Sequence, residues 1–355
     1  MGISDYSFKR QTLIKDIPET IILGNGYWPD GYWHENYWEP HYWPFREEQG
    51  IDFDFTFKRQ QLVPHIVDAR ITIIGSPIQK TDFGGTARSG AVAAAVGTKI
   101  YVGTGYDGSF KKDWWEYDTI NDTWIEKEPF GGTVRGWAVA VAVGTKIYVG
   151  TGYADDVVTK DWWEYDPSTD TWTEKEPFGG TARCAAVAAT VGSKIYMGTG
   201  ADWDDRKDWW EYDTINDIWT PKTDFGGAIT ESPVAVAVGT KIYVGIGAGS
   251  PFPNDWWEYD PSTDTWTEKE PFGGALRFAA IGIALGDKIY VGTGVGTANY
   301  KDWWEYDPTT NLWAQKMDFG GNGRGNAVAA VIGSKVYVGT GIGLVKYKDW
   351  WEYIQ

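Results

Sequence analysis

Apolar positions along most of this chain fall into short runs, not helical stripes. From residue 83 onward one order recurs: an alanine and valine run such as Ala91 to Val96, then Ile100-Tyr101-Val102, then Trp114-Trp115-Glu116-Tyr117, then a segment around Trp124. Each run is too short for a helix, rich in β-branched and aromatic residues, and bounded by turn formers, so the pattern predicts four strands per unit. The connections agree. Val96-Gly97-Thr98-Lys99 and Asp166-Pro167-Ser168-Thr169-Asp170 are tight reversals, in which glycine supplies positive φ and Asp or Pro sets the bend.

A Phe-Gly-Gly marker opens each unit, at Phe83, Phe130, Phe178, Phe225, Phe272 and Phe319, with spacings of 47, 48, 47, 47 and 47 residues. Four strands in a repeat of this length make a propeller blade, so the expected fold is all-β with six blades. Small residues in the first strand suit the crowded axis, and the tryptophans of later strands suit the widening wedge between blades. The sixth copy stops at Trp350-Trp351-Glu352-Tyr353-Ile354-Gln355, one strand short. Ile78-Gln79-Lys80-Thr81-Asp82-Phe83 matches the ends of other fourth strands, Pro221 to Phe225 and Gln315 to Phe319. An N-terminal strand from about Arg70, centred on Thr72 to Gln79, is therefore expected to complete the last blade and close the ring.

Composition sharpens this picture. The 45 Gly, 23 Trp and 21 Tyr fit many tight turns between aromatic strands, and the formal charge of −17 repels a phosphate backbone, so nucleic acid is not an expected partner. One cysteine, Cys184, leaves no internal disulfide, and it is expected to be a small buried side chain near the axis. No apolar stretch approaches a membrane span, and the first residues lack a basic start followed by an apolar run. No membrane insertion and no signal peptide are expected, hence synthesis in the cytoplasm.

An Arg after the glycine pair (Arg88, Arg135, Arg183, Arg277, Arg324), an Ile-Tyr-Val run before glycines, and a spaced Tyr and Trp such as Tyr165 and Trp172 resemble kelch repeats over residues 71–355. Two departures stand out. The adjacent Gly-Gly that usually follows the second strand is Gly103-Thr104-Gly105 here, and the fourth copy has Thr230 in place of Arg. Kelch propellers similar to galactose oxidase need histidines and a cysteine-linked tyrosine at copper. His34, His41 and His65 all lie outside the repeats, so that site is not expected. The glutamates Glu116, Glu164, Glu211, Glu258, Glu305 and Glu352 occur once per unit, which marks a scaffold role beside Lys or Arg. No catalytic constellation and no resident cofactor are expected, and the protein is read as not an enzyme.

Residues 1–70 form a separate segment, read as a small irregular docking unit. Asp5 to Gln11 and Asp54 to Gln60 repeat one aromatic-polar phrase, and a pentad places Tyr27-Trp28, Tyr32-Trp33, Tyr37-Trp38 and Tyr42-Trp43 in series. A period of five fits neither helix nor strand. Two readings stay open: the rings pack on the propeller rim or on each other, or they form an assembly interface with other structural proteins. Over some twenty residues these pentads are similar to segments of tailed-phage structural proteins.

Within the repeats, the loop between second and third strands varies most. It supplies the candidate ligand-binding face: Tyr106, Asp107, Tyr153, Asp155, Asp156, Trp203, Asp204, Asp205, Phe252, Tyr300 and Tyr347. Aromatic rings beside carboxylates suit a surface glycan or a protein, with Ca²⁺ as the one ion to consider if several carboxylates converge. The alternative is drift in solvated loops without a ligand. The functional expectation is a non-enzymatic virion or extracellular-assembly protein displaying its propeller for host attachment; the competing one is a bacterial carbohydrate-binding or carbohydrate-processing kelch protein.

Overall fold

The computed structural model describes residues 77–202, 204–228, 232–249 and 254–354. They form six four-stranded antiparallel sheets. In the first blade the strands run Val92–Val96, Lys99–Gly103, Trp114–Asp118 and Thr123–Lys127, from the axis outward. The inner strands of successive blades pack side by side, and Val92–Val96 lies against Val328–Ile332 of the sixth blade, so the ring is closed. The turn after each inner strand needs backbone freedom more than space: Gly97 has φ 61°, with nothing within 4 Å of a built Cβ. Gly103 answers the opposite need, because a Cβ there would fall 2.2 Å from the Trp114 ring.

Closure follows the expected route. Ile78–Lys80 is the outermost strand of the sixth blade and pairs antiparallel with Trp350–Ile354, Gln79 opposite Trp351. Thr72 to Ser76 of the expected strand lie outside the described residues, as do the Tyr-Trp pentads from Tyr27 to Trp43 and the rest of the N-terminal segment.

The core is divided into six clusters, each built from two neighbouring blades. Between the first and second blades, Trp114 meets Tyr165 at 5.9 Å and Trp172 at 5.2 Å, both edge to face, while Phe130 meets Trp172 at 5.0 Å. The marker phenylalanine is thus an inter-blade wedge. The once-per-blade glutamates have the expected scaffold role: Glu116 accepts the Tyr101 hydroxyl at 3.0 Å and pairs with Lys99 at 3.3 Å.

Candidate recognition face

Two sets of segments share one face of the ring: the links that carry the Phe-Gly-Gly marker and the loops between second and third strands. They are zipped together by single β-bridges, Ser89 to Tyr106, Gly136 to Tyr153, Cys184 to Ala201, Phe278 to Val295 and Gly325 to Ile342. Beneath each zipper lies a buried arginine. Arg88 grips both oxygens of Asp113 at 2.5 and 2.7 Å, donates to the Thr104 carbonyl at 2.9 Å, and stacks on Phe83 at 5.0 Å. Burial pushes the Asp113 carboxyl up, but the hydrogen bond and charge of Arg88 outweigh it and hold the group below the usual carboxylate range.

At the mouth of the channel the links form a second device, which the repeat pattern alone does not reveal. Gly90, Trp137, Ala185, Ser232, Ala279 and Asn326 all have φ between 50° and 62°. Each N–H donates to the carbonyl of its counterpart in the preceding blade, from Trp137 to Gly90 at 2.8 Å round to Gly90 to Asn326 at 3.2 Å, closing a ring of backbone hydrogen bonds. Trp137 leans back over Gly90, and its indole N–H donates to Asn326 Oδ1 at 3.2 Å, so this one side chain links the second blade to the sixth over the first. Below the ring, a cavity of about 300 Å³ is lined by small and aliphatic inner-strand residues such as Ala93, Val141, Ala188 and Ile283, with Thr190 the one hydroxyl in the lining. Nothing in that lining resembles an acid-base pair.

The structure brings Tyr106 and Tyr153 together through a residue between them. Phe110 lies 5.0 Å from Tyr106 and 5.6 Å from Tyr153, and Trp137 packs 6.3 Å from both Phe110 and Tyr153. Lys346 covers the Tyr106 ring at 4.3 Å. Beside it stand Leu344 and Val345, 95% and 60% exposed. Asp107 is held by Ser109 and Lys111 of its own loop and by the Thr86 hydroxyl of the link. Asp155 and Asp156 form the tip of a long hairpin, Lys146–Ala154 with Val157–Asp166, with φ of 48° and 64° that mark a type I′ turn. Asp156 accepts the Tyr153 hydroxyl at 2.8 Å, and that hydrogen bond raises the Tyr153 phenol above its ordinary value.

The remaining candidates do not join this cluster. Tyr300 and Tyr347 lie flat over Arg277 and Arg324, at 4.2 Å each, so each arginine is sandwiched between a tyrosine and a marker phenylalanine. Asp204 and Asp205 are exposed; Trp203 and Phe252 lie outside the described residues. Cys184 is only partly buried, contrary to expectation. It sits in the link, ahead of the axial ring, and its backbone pairs with the Ala201 loop on the open face instead of entering the packed inner strands. Among the described residues no group of three or more His, Cys, Asp or Glu gathers to hold a metal ion, and no helix is long and apolar enough to cross a membrane. Trp137 was absent from the candidate residues; its signal was a large ring at a position filled elsewhere by Gly, Ala, Ser or Asn.

Residues 77–244 match the family model of the KLHDC2/KLHL20/DRC7 Kelch-repeats domain. The propeller is built of kelch repeats. No curated protein matches the chain. A kelch propeller is typically a non-catalytic scaffold for binding, protein partners above all, and the varied loops of this one stand on an otherwise repetitive ring.

Proposed function

We propose that this kelch propeller is a non-catalytic recognition module that docks a protein surface through its sixth, first and second blades. The observation that carries the reading is the Tyr106, Phe110, Trp137 and Tyr153 cluster beside exposed Leu344 and Val345, all on segments that differ from blade to blade. A sugar needs a free ring face to stack on. Here Lys346 covers Tyr106, and the two arginines occupy Tyr300 and Tyr347, whereas apolar side chains beside acidic loops suit a protein contact. Residues 1–70 supply the tether in this proposal. Eight Tyr and Trp rings in a series similar to tailed-phage structural proteins favour anchorage in a virion, with the propeller displayed for host attachment.

The test is adsorption of the purified chain to cells of the recognised host. Protease treatment of the cells should abolish binding and periodate should spare it; the reverse would make the ligand a glycan. Leu344→Asp with Phe110→Ala should weaken adsorption at least tenfold with an unchanged unfolding temperature, and unchanged adsorption would exclude this face. Trp33→Ser with Trp38→Ser should release the chain from its assembly while the blades stay folded.

A further inference from the structure

Of the residues that close the hydrogen-bonded ring at the channel mouth, Gly90, Ala185, Ser232, Ala279 and Asn326 carry small side chains or none, and Trp137 carries an indole. The joints at the smaller residues close with the same N–H to carbonyl bond, so the ring itself does not need an indole. The φ of 52° at Trp137 adds a cost, because left-handed backbone disfavours a bulky side chain. Such conformations persist where the surroundings hold them in place, and they gather at ligand clamps and other functional positions.

The surroundings here are specific. A Cβ on Gly90 would fall 3.0 Å from the indole, so the first blade leaves room for the ring. Asn326 Oδ1 of the sixth blade accepts its N–H at 3.2 Å. Phe110 and Tyr153 each meet it edge to face at 6.3 Å, with planes 69° and 62° apart. Three blades thus seat one ring, which is still partly exposed. A large aromatic held rigid within reach of solvent suits a binding hot spot, because little side-chain freedom is left to lose when a partner lands on it.

We infer that Trp137 anchors the protein docking proposed for this face, on which the assignment rests, that Asn326 is its positioning residue, and that the partner sets an apolar side chain against the indole. The chemistry follows from where the polar atoms are engaged. The indole N–H donates to Asn326, the Tyr153 hydroxyl donates to Asp156, and Asp107 is held by Thr86, Ser109 and Lys111. The donor that a sugar hydroxyl or a peptide carbonyl would need at Trp137 is already taken. What remains for a partner is ring surface, which an aliphatic or aromatic side chain covers at no cost in hydrogen bonds.

The test is adsorption of the purified full chain to cells of the recognised host, with the unfolding temperature measured for every variant. Trp137→Ala and Trp137→Ser copy the third and fourth blades. Each should stay folded and weaken adsorption at least tenfold, by the same factor in low and high salt. Trp137→Phe keeps a ring without the N–H and should retain part of the adsorption. Asn326→Ala should weaken adsorption several-fold in the native chain and have no further effect beside Trp137→Phe, because the bond it removes is then already gone. Full adsorption by Trp137→Ala and Trp137→Ser, while Leu344→Asp with Phe110→Ala still weakens it, would overturn the anchor and leave the docking face standing. If that pair has no effect either, both fall. A loss that shrinks in high salt would overturn the apolar contact in favour of a cation on the ring. An Asn326→Ala loss that persists undiminished beside Trp137→Phe would overturn the positioning role.

Discussion

At the residue scale, the recurrent arginine and aspartate pair is where charge and packing meet. Arg135 is 0% exposed and Asp161 is 26% exposed at its side chain, so the guanidinium is the buried partner and the carboxylate still sees water on one side. Burial pushes Asp161 up, and the bond and charge of Arg135 outweigh it, leaving the carboxyl below its ordinary value. Arg135→Leu keeps bulk against Phe130 but strands Asp161, and should destabilise the chain by about 3 kcal/mol, the range for breaking a buried pair. Adding Asp161→Leu should recover part of that loss in urea denaturation, and an additive pair of effects would refute the coupling. The Gly-Thr-Gly departure is also visible at this scale. Thr104 has φ 56°, an uncommon conformation for a β-branched residue, and its hydroxyl is buried without a partner among the described residues.

At the scale of elements, successive blades are joined by a two-way bracket. The Glu128 N–H donates to Asp170 Oδ1 at 3.0 Å, and the Glu128 carbonyl accepts the Trp172 indole at 3.1 Å. The same exchange recurs at Thr81, Glu176, Thr223 and Glu270. The closing strand differs, because Pro77 stands where the other outer strands carry that tryptophan. Pro77 packs near Gly320, and the Tyr353 hydroxyl donates to the Asp318 carbonyl at 2.5 Å. The outer edge of the sixth blade thus rests on a short closing strand, Ile78 to Lys80 among the described residues. Deleting residues 1–80 should lower the unfolding temperature, and deleting 1–65 should leave it nearly unchanged. Equal stability of the two truncations would refute the closure argument.

At the scale of the whole molecule, repetition makes small electrostatic effects add. The carboxyls of Asp113, Asp161, Asp208 and Asp302 are all held down, in each case because arginine contacts outweigh burial. Their contribution is present above the unfolded aspartate pKa, about 4, and is lost as pH falls through the lower folded values. The tyrosines move the other way. Burial, followed by contact with carboxylates, raises Tyr117, Tyr165, Tyr212 and Tyr259 well above their ordinary value. Their contribution is present below the unfolded tyrosine pKa, about 10, and is lost as pH rises toward the folded values. The unfolding temperature should therefore be level between about pH 5 and 9 and fall on both sides, as calorimetry across pH would show. A continuous slope through neutrality would contradict it.

The blade count, the strand order and the closing strand were legible in the sequence, because a six-fold marker and a missing fourth strand are one-dimensional facts. The scaffold role of the glutamates was legible for the same reason: one residue per repeat implies one duty per blade. The recognition face was legible only as a list of loops. Nothing in the spacing says that Phe110 bridges Tyr106 to Tyr153, that Trp137 reaches over Gly90 to Asn326, or that Tyr300 and Tyr347 spend their ring faces on buried arginines. Those contacts depend on how twisted sheets converge around an axis, which brings together residues as far apart in the chain as 137 and 326. Thr230 shows both limits at once. The sequence by itself marked the missing arginine, and only the folded neighbourhood decided that Asp255 would be left with a buried oxygen and no donor among the described residues, because the partner of a carboxylate is set by distance in space and not by position along the chain.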